Sequence, residues 1–375
     1  MPSLTLAKWL LKAWREKGLP WILEMIRLML SSPRHDLDSR FASPQLRTML
    51  AAWAMHLDFA PDSAGGAVFP YLEAMSCQNF GMKIGQGGAD TVIKAITSAL
   101  TTLGGELMLG VEATSVEVEG GKASVVSLSD GRKLKARKAV IAGVHPRNLV
   151  DRLVPCIAPN FAKSARKFRP GPATMMLHLV LDSLPEWRAG PELQQFAYVH
   201  IADNYDAMTA AYQQPLGGLL PTAPVLVVGQ PTAVDPSRAP AGKHVLWVQI
   251  RAVPYAIHGD AAGTIETCDW AQVAAPFAER IIDQLEQYAP GLQSKILGSK
   301  VLTPLDLKRI NPNLVGGDSL AGSHHLDQNF LFRPFPGWSR WRTPIRNLYM
   351  VGASTWPGAG TGAGSGYMLA KQLAG

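Results

Sequence analysis

The segment "NLYMVGASTWPGAGTGAGSGYMLA", residues 347–370, constrains this chain more than any other stretch. An apolar run from Leu348 to Val351 enters a turn crowded with glycine, and a helix-forming stretch follows from Gly364 to Leu373. Strand, glycine turn and helix together gather unpaired backbone N–H groups and the positive end of a helix at one point, which suits a negative charge. Gly358, Gly360 and Ala363 have the GxGxx(G/A) spacing of a dinucleotide fingerprint. That fingerprint works inside a βαβ unit of about 30 residues, with an acid about 20 positions later for the ribose. Neither a second strand nor an acid follows before Gly375.

Elsewhere the pattern is absent, since Gly85 and Gly87 lead to Asp90 rather than to glycine or alanine. The sequence therefore carries no nucleotide-binding βαβ of its own. A cofactor that gains negative charge without being held there by phosphates fits the terminal turn. Reduced flavin is such a group, because its charge sits at the pyrimidine edge of the ring. The competing reading is a tight strand–helix crossing that needs small residues for packing, but six glycines between 352 and 366 exceed that need.

At 375 residues the chain exceeds one small core, so two domains or one large two-part α/β unit is expected. The net charge of +7 is diffuse, and no polybasic block points to nucleic acid. The densest basic stretch, "GRKLKARK" (131–138), alternates Leu134 and Ala136 with charge and reads as a solvated strand face. Cys77, Cys156 and Cys268 are far apart, which argues against a zinc site or a dithiol pair and fits a reducing compartment such as the cytoplasm. No charge-free apolar run reaches the roughly 18 residues of a membrane span. The start, "LTLAKWLLKAWREKG", is amphipathic: Leu6, Trp9, Leu10 and Trp14 recur at helical spacing among Lys8, Lys12, Arg15 and Lys17. It lacks the uninterrupted apolar region of a signal peptide. Two readings stand, a helix packed on the body and a helix within residues 1–30 lying on a membrane surface.

The first 76 residues read as helical. Gly18 and Pro20 break the first helix from "WILEMIRLML"; Ser43 caps a third with Pro44 in its first turn; Pro61 and Asp62 open a fourth. In "NFGMKIGQGGADTVIKAITSALTTLGGE" (79–106) a short strand is expected to lead through Gly85, Gly87 and Gly88 into a helix with Asp90 in its first turn. A GG turn and a DG turn then mark a small β-meander that ends in a buried strand, "KAVIAG". "ATMMLHLVLD" (173–182), "PVLVVGQ" (224–230) and "KHVLWVQIRAV" (243–253) are strands, and 269–289 is a long helix.

Four stretches resemble the phytoene desaturase-like FAD-dependent oxidoreductases, a group that includes carotenoid desaturases, retinol saturase and the pyridine nucleotide-disulfide oxidoreductase domain-containing protein 2 branch. They are "GMKIGQGGADTVIKAITSALTTLGGEL", "KAVIAGVHPRNLV", "NPNLVGGDSLAGSHHLDQNFLFRP" and "TPIRNLYMVGASTWPGAGTGAGSGYMLA", and the last two are the specific ones. The resemblance implies FAD, with Gly352, Ala353, Ser354, Pro357, Gly358, Gly360, Thr361, Gly362 and Ala363 approaching the isoalloxazine ring and Val111 bordering the adenine side. Members of that family begin with a strand, GxGxxG and helix that grip the pyrophosphate. This sequence lacks that segment. Truncation of a longer reading frame is expected; a split enzyme and a flavin-free remnant are the two alternatives. A companion chain carrying the GxGxxG unit is the partner the split enzyme requires.

Outside the glycine turn, Asp318, His324 and Arg333 are the candidate catalytic residues. Asp318 beside His324 and His325 forms an acid/base cluster or, alternatively, Asp318 accepts backbone bonds in a turn. Arg333 faces the flavin or a carboxylated substrate, or serves in a structural ion pair. No metal set accompanies the His pair. His178 and His200 are core or cavity-lining. Trp9, Trp14, Trp21 and Trp53 line a long apolar cavity or pack in the core.

The expected fold is α/β: an incomplete Rossmann-like FAD/NAD(P)-binding domain from 77–150 and 300–375, and an α+β substrate domain from the helical 1–76 and the mixed sheet and helix of 151–299. The expected function is FAD-dependent oxidation or reduction across a C–C bond of an apolar small molecule. The alternative is a non-catalytic or split-enzyme partner subunit that binds no flavin alone.

Overall fold

The computed structural model describes residues 2–360 and 363–374. The chain divides into two compact units, Met1–Gly81 with Ala202–Ala210, and Met82–Ile201 with Ala211–Gly375. The helical segment thus closes at Gly81, five residues beyond the expected boundary at 76. Residues 151–299, apart from 202–210, fall in one unit with 82–150 and 300–375 instead of with the helices.

The first unit is built from α1 (Pro2–Leu30), α2 (Pro33–Arg40), α3 (Pro44–Ala54) and α4 (Val68–Phe80). Gly18 (φ 81, ψ 168) breaks the helical geometry of α1 where the sequence predicts a break. Ser32 and Ser43 cap α2 and α3, each hydroxyl accepting a backbone N–H at 3.3 Å, with Pro33 and Pro44 opening the helices. The fourth helix starts at Val68 and not at Pro61, because Asp62 is engaged elsewhere. Its carboxylate takes Arg34 Nε at 2.6 Å and the Thr209 hydroxyl at 2.7 Å.

An open cavity of about 660 Å³ lies within this unit, lined by Trp21, Met25, Leu28, Leu37, Phe41 and Met75 among others. Of the four tryptophans expected to line a cavity, Trp21 does so. Trp9 and Trp14 are instead 65% and 54% exposed.

The second unit carries α5 (Asp90–Thr102) and the strands β1 (Ala113–Glu119), β2 (Lys122–Leu128), β3 (Lys133–Lys135), β4 (Val140–Ala142), β5 (Ala173–Leu181), β6 (Tyr198–Ile201), β7 (Leu219–Leu220), β8 (Leu226–Gly229), β9 (His244–Val253), β10 (Gly259–Asp260), β11 (Ile296–Leu302) and β12 (Leu348–Met350). β1, β2 and β3 form the meander. β11, β5, β9, β8 and β6 form an antiparallel sheet in that order.

Alternation decides what each face of this sheet does. Met175, Leu177 and Leu179 of β5 and Leu246, Val248 and Ile250 of β9 are fully buried. They share a core with Val273, Phe277, Ile281 and Leu285 of the helix Trp270–Tyr288. Each such side chain contributes about 1.5–3 kcal/mol of burial. The intervening residues Met176, His178, Trp247, Gln249 and Arg251 are half-buried on the other face.

β12 pairs with β4 in parallel, Leu348 opposite Val140 and Met350 opposite Ala142. These residues join a second core with Leu149, Val154, Phe161 and Phe335. The short strand expected before Gly85 does not form. That segment is held as a loop by the Gly87 N–H donating to Asp235 Oδ2 at 2.6 Å and by Arg238 donating to the Gly85 carbonyl. α5 follows as expected, with Asp90 in its first turn bridging to Lys94 at 2.6 Å.

No helix among the described residues is long and apolar enough to cross a membrane. The apolar stripe of α1 nevertheless stays uncovered, with Trp9, Leu10, Leu11, Trp14, Leu19 and Leu23 exposed. The packed reading of this stripe is therefore not what the structure shows. Trp and Leu beside Lys12 and Arg15 suit a lipid surface. Deleting residues 1–17 is expected to abolish co-sedimentation with anionic liposomes. Unchanged sedimentation would remove the membrane-surface reading.

Candidate functional site

The site forms where β12 stops. One further bond continues the parallel ladder, from the Val351 N–H to the Ala142 carbonyl at 3.0 Å. The chain then folds through successive turns. The Thr355 N–H bonds the Gly352 carbonyl at 3.0 Å, and the Gly358 N–H bonds the Thr355 carbonyl at 2.7 Å. The helix Gly364–Ala374 closes the motif, and its buried Ser365 accepts the Gly352 N–H at 2.9 Å, which fastens the entry of the turn to the helix. Ala363 precedes that helix at φ 49, and its carbonyl accepts the Tyr367 N–H at 3.0 Å. Thr361 and Gly362 lie outside the described residues.

A buried arginine holds this turn to the loop before it. Arg333 is 0% exposed. Its Nε and Nη2 donate to the Ala353 carbonyl at 3.1 and 2.8 Å, and its Nη1 donates to the Ser323 carbonyl at 2.9 Å. Nη2 also reaches the Gly322 carbonyl at 3.3 Å. The guanidinium lies 5.6 Å from the centre of the Phe168 ring, a cation–π contact. Ser354 adds a parallel link, its hydroxyl donating to the Ala321 carbonyl at 2.9 Å. Arg333 thus plays a structural part of the kind its second sequence reading offers, though through backbone carbonyls.

Asp318 is also fully buried, and its carboxylate accepts three backbone N–H groups, from Gly171 at 2.8 Å and from Leu320 and Gly322 at 2.7 Å. This is the turn-organising reading of the residue.

His324 is the candidate that touches the glycine turn. Its Nε2 accepts the Ala359 N–H at 3.2 Å, which places the ring proton on Nδ1 in the neutral form. That Nδ1 is buried and has no hydrogen-bond partner among the described residues. Burial, and then the charge of Arg333, pushes the imidazole down to about 3. His145, buried against Phe168 at 5.3 Å between ring centres, is lowered to about 4 by burial and then by Arg147 and Arg333.

Gly358 (φ +106) cannot be replaced cheaply, since a Cβ there would stand 2.8 Å from His324 Nε2. At Gly360 (φ +149) a Cβ would meet nothing within 4 Å, so the cost of a side chain there is backbone strain and not a clash. Gly352 is likewise open on that side, so the turn offers bare backbone at two of its glycines. Pro357 and Ala353 belong to the same turn. Val111 does not: it stands half-buried before β1, and its neighbour Glu112 bonds Ser129 and Arg152 instead.

Further polar groups near the turn escape a reading of the sequence. The Tyr212 hydroxyl lies 3.2 Å from His325 Nε2. Arg251 on β9 contributes to lowering both His324 and His200, so its charge reaches both rings. The alternation within "HVLWVQIRAV" carries that signal, because Trp247, Gln249 and Arg251 share one face.

No protein-family profile matches the chain. Among curated proteins, the chain is 28% identical over 97% of its length to pyridine nucleotide-disulfide oxidoreductase domain-containing protein 2 of Mus musculus, and spans 64% of that protein. It is 27% identical over 75% of its length to the lycopene-forming phytoene desaturase of a Paracoccus strain, spanning 52% of it. The chain is a relative of these proteins. The resemblance read from its motifs therefore holds. Among solved structures, an oxidoreductase from Methanosarcina mazei matches 91% of the chain with TM-score 0.60 at 17% identity, covering 68% of that structure. A putrescine oxidase variant matches 92% with TM-score 0.52 at 14% identity, covering 67%. These two likenesses concern the fold, a mixed helix-and-sheet architecture in agreement with the α/β expectation.

Replacing Arg333 by Met removes the donor to the carbonyls of Gly322 and Ala353, while those of Ala321 and Ser323 keep Ser354 and Gln328. Chemical denaturation is expected to show a loss of about 2–6 kcal/mol, at about 1–3 kcal/mol for each buried carbonyl left unsatisfied. A loss under about 1 kcal/mol would contradict the clamp. A pH dependence follows from the buried histidines. His324, His145 and His200 sit at about 3, 4 and 4, below their unfolded value of 6.5. The unfolded chain therefore binds more protons between these values, and stability falls as pH drops from about 6.5 towards 4. Each group contributes up to about 1.4 kcal/mol per pH unit. Urea midpoints that stay flat over that window would contradict buried neutral histidines.

Proposed function

We propose that this chain furnishes the isoalloxazine side of an FAD-dependent oxidoreductase that moves hydride to or from a C–C bond of an apolar molecule. The observation that carries this reading is the glycine turn, bare-backboned at Gly352 and Gly360 and aimed from a parallel strand into a helix N-terminus. The relatives named as desaturase and oxidoreductase domain protein support it, as does the fold shared with an oxidoreductase and a putrescine oxidase. The chain spans 64% of the mouse relative and 52% of the desaturase, so the activity of the whole protein is part of the proposal.

The residues present fit such a group. A planar ring can approach the backbone at Gly352 and Gly360, where a side chain would intervene. The first N–H groups of the helix Gly364–Ala374 offer positive potential to a ring that gains charge. Bound FAD supplies the hydride-accepting ring. The chain's own part is positional. His324 fixes Ala359, Arg333 fixes Ala353, and Ser365 fixes Gly352, so the turn keeps its shape as charge changes beside it. The neutral His324 adds no positive charge of its own to the site.

A strand–GxGxxG–helix unit from further polypeptide, covalent or separate, belongs to the same proposal. Two surfaces support it. The sheet of β4 and β12 holds two strands among the described residues, and Ile141 in it is 51% exposed. Parallel sheets are normally covered on both faces. α5 has no buried residue, and its stripe Ile93, Ile96, Leu100 and Leu103 is exposed by 42–87%. An uncovered stripe at helical spacing calls for a packing partner. For the substrate class, the support is the apolar cavity of about 660 Å³ in the helical unit, within the size range of small-molecule sites. Contact of α1 with a membrane surface would bring the chain to such molecules.

The test is flavin retention. The chain is mixed with excess FAD, alone and with a supplied GxGxxG unit, desalted, and its visible spectrum recorded. Retained flavin is expected when the unit is present, and Gly360→Val is expected to stay folded by circular dichroism while retaining less than about a tenth of it. Wild-type occupancy in Gly360→Val, or no flavin in either mixture, would sink the reading.

A further inference from the structure

Charge is spread unevenly along this chain. Between Glu119 and Asp151 the only acid is Asp130, amid a run of lysines and arginines, and no acid follows Asp327. The pairing of β12 with β4 brings these two acid-poor segments together. Lys122 bridges to Arg346 through the backbone, and Arg346 Nη2 donates to the Gly120 carbonyl at 2.7 Å. Asn347 Nδ2 reaches the Lys138 carbonyl at 3.4 Å, and Lys138 Nζ donates to the Leu373 carbonyl at 2.7 Å, two residues beyond Lys371. Arg342 bridges to Tyr349. Lys122, Lys138, Arg340, Arg342, Arg346 and Lys371 are all exposed. Arg132 and Lys133 pair with Asp130 and Glu117, whereas those six have no ion-pair partner among the described residues. The result is a basic face in the unit that holds the glycine turn.

Bonds join this face to the turn. β12 has a neighbour on each side. β4 takes one edge, and on the other the Met350 N–H donates to the Trp341 carbonyl at 2.7 Å while the Leu348 carbonyl accepts the Thr343 hydroxyl at 3.0 Å. Strands supplied by further polypeptide therefore add at β4, which leaves Arg340, Arg342 and Arg346 uncovered. Trp341 Nε1 donates to the Trp356 carbonyl at 2.9 Å, next to Pro357 of the turn, and the Trp356 ring lies 5.4 Å from that of Phe330. Trp341 stands at φ 61, a left-handed conformation that a bulky residue keeps only where its surroundings fix it. Arg340 and Arg342 flank it, one indole away from the turn.

We propose that this face docks a one-electron carrier protein with an acidic surface, and that Arg340, Arg342 and Arg346 anchor it. This deepens the flavin reading by naming the partner of the same site, and it rests on that reading for the reaction. When a C–C bond gives a hydride to FAD and a proton to water, two electrons and one proton remain with the cofactor. Two carriers then take one electron each, and the remaining proton goes to water, which restores FAD. Charge selects the partner, because guanidinium groups without acids of their own attract a carboxylate-bearing surface and steer its approach. Position selects its role. A partner held by Arg340 and Arg342 stands beside the group that holds the electrons, a closeness from which a lipid surface or a nucleic acid gains nothing.

The experiment titrates two acidic carriers, the soluble domain of cytochrome b5 and a plant-type ferredoxin, into the full 375-residue chain without flavin, followed by calorimetry. Saturable binding of at least one is expected at low salt, weakened at least about tenfold near 0.3 M NaCl, where exposed charges are screened. Arg340→Glu with Arg342→Glu is expected to weaken it at least about tenfold, about 1.4 kcal/mol. Arg188→Glu with Lys300→Glu changes the net charge equally from exposed positions on other elements and is expected to stay within about twofold of wild type. Should the first pair fail to fold by circular dichroism, Arg340→Gln with Arg342→Gln decides, with a loss of at least about threefold expected. Binding of neither carrier, an equal loss in the control pair, or dependence on these arginines seen with anionic liposomes or duplex DNA alone would overturn the proposal. A chain that retains FAD but binds no carrier loses this inference alone. A chain that binds a carrier through these arginines but retains no FAD loses the flavin reading instead.

Discussion

The buried guanidinium of Arg333 is the constraint on which the site depends. A cation removed from water is tolerated only when its donors meet acceptors, and here the acceptors are main-chain carbonyls at Ala321, Gly322, Ser323 and Ala353. The guanidinium joins the 321–323 loop to the glycine turn, so one side chain fixes their separation. Asp318 does the converse with three N–H groups of the same region. A loop that carries no regular strand is thereby held by two buried charged groups that bond to backbone. His324 inherits its place from that loop and passes it to Ala359.

The five-stranded sheet shows how one periodicity serves two purposes. Leu246, Val248 and Ile250 stabilise the unit by leaving water, while Trp247, Gln249 and Arg251 stay half-wet on the opposite face. The core face gives the rigidity that lets the other face hold side chains in fixed directions. A polar or charged residue is tolerated on that second face because part of it keeps contact with water.

The uncovered surfaces have a common physical meaning. α1 and α5 each display apolar side chains that water does not favour, yet both are regular helices. α5 is the more telling, since its stripe falls in the unit that also holds the two-stranded parallel sheet. Both features leave apolar surface in contact with water, and the chain spans 64% of the mouse relative and 52% of the desaturase.

Local elements, and the kind of cofactor to look for, are legible in the order of residues alone. Ser43–Pro44, the alternation in β5 and β9, the GG and DG turns of the meander and the strand–glycine–helix motif act over a few residues, and local rules decide them. Those rules fail where a distant partner wins. They start a helix at Pro61 and Asp62, but a carboxylate that meets Arg34 and Thr209 answers to partners 28 and 147 positions away. They place a strand before Gly85, but a strand needs a neighbour, and that loop is fastened to Asp235 and Arg238. Among the three candidate catalytic residues, folding turns Arg333 and Asp318 inward to carbonyls and amides and brings His324 to the glycine turn. Residue type names the charge a side chain can carry. Which groups surround it after folding decides whether that charge binds a ligand or holds the chain.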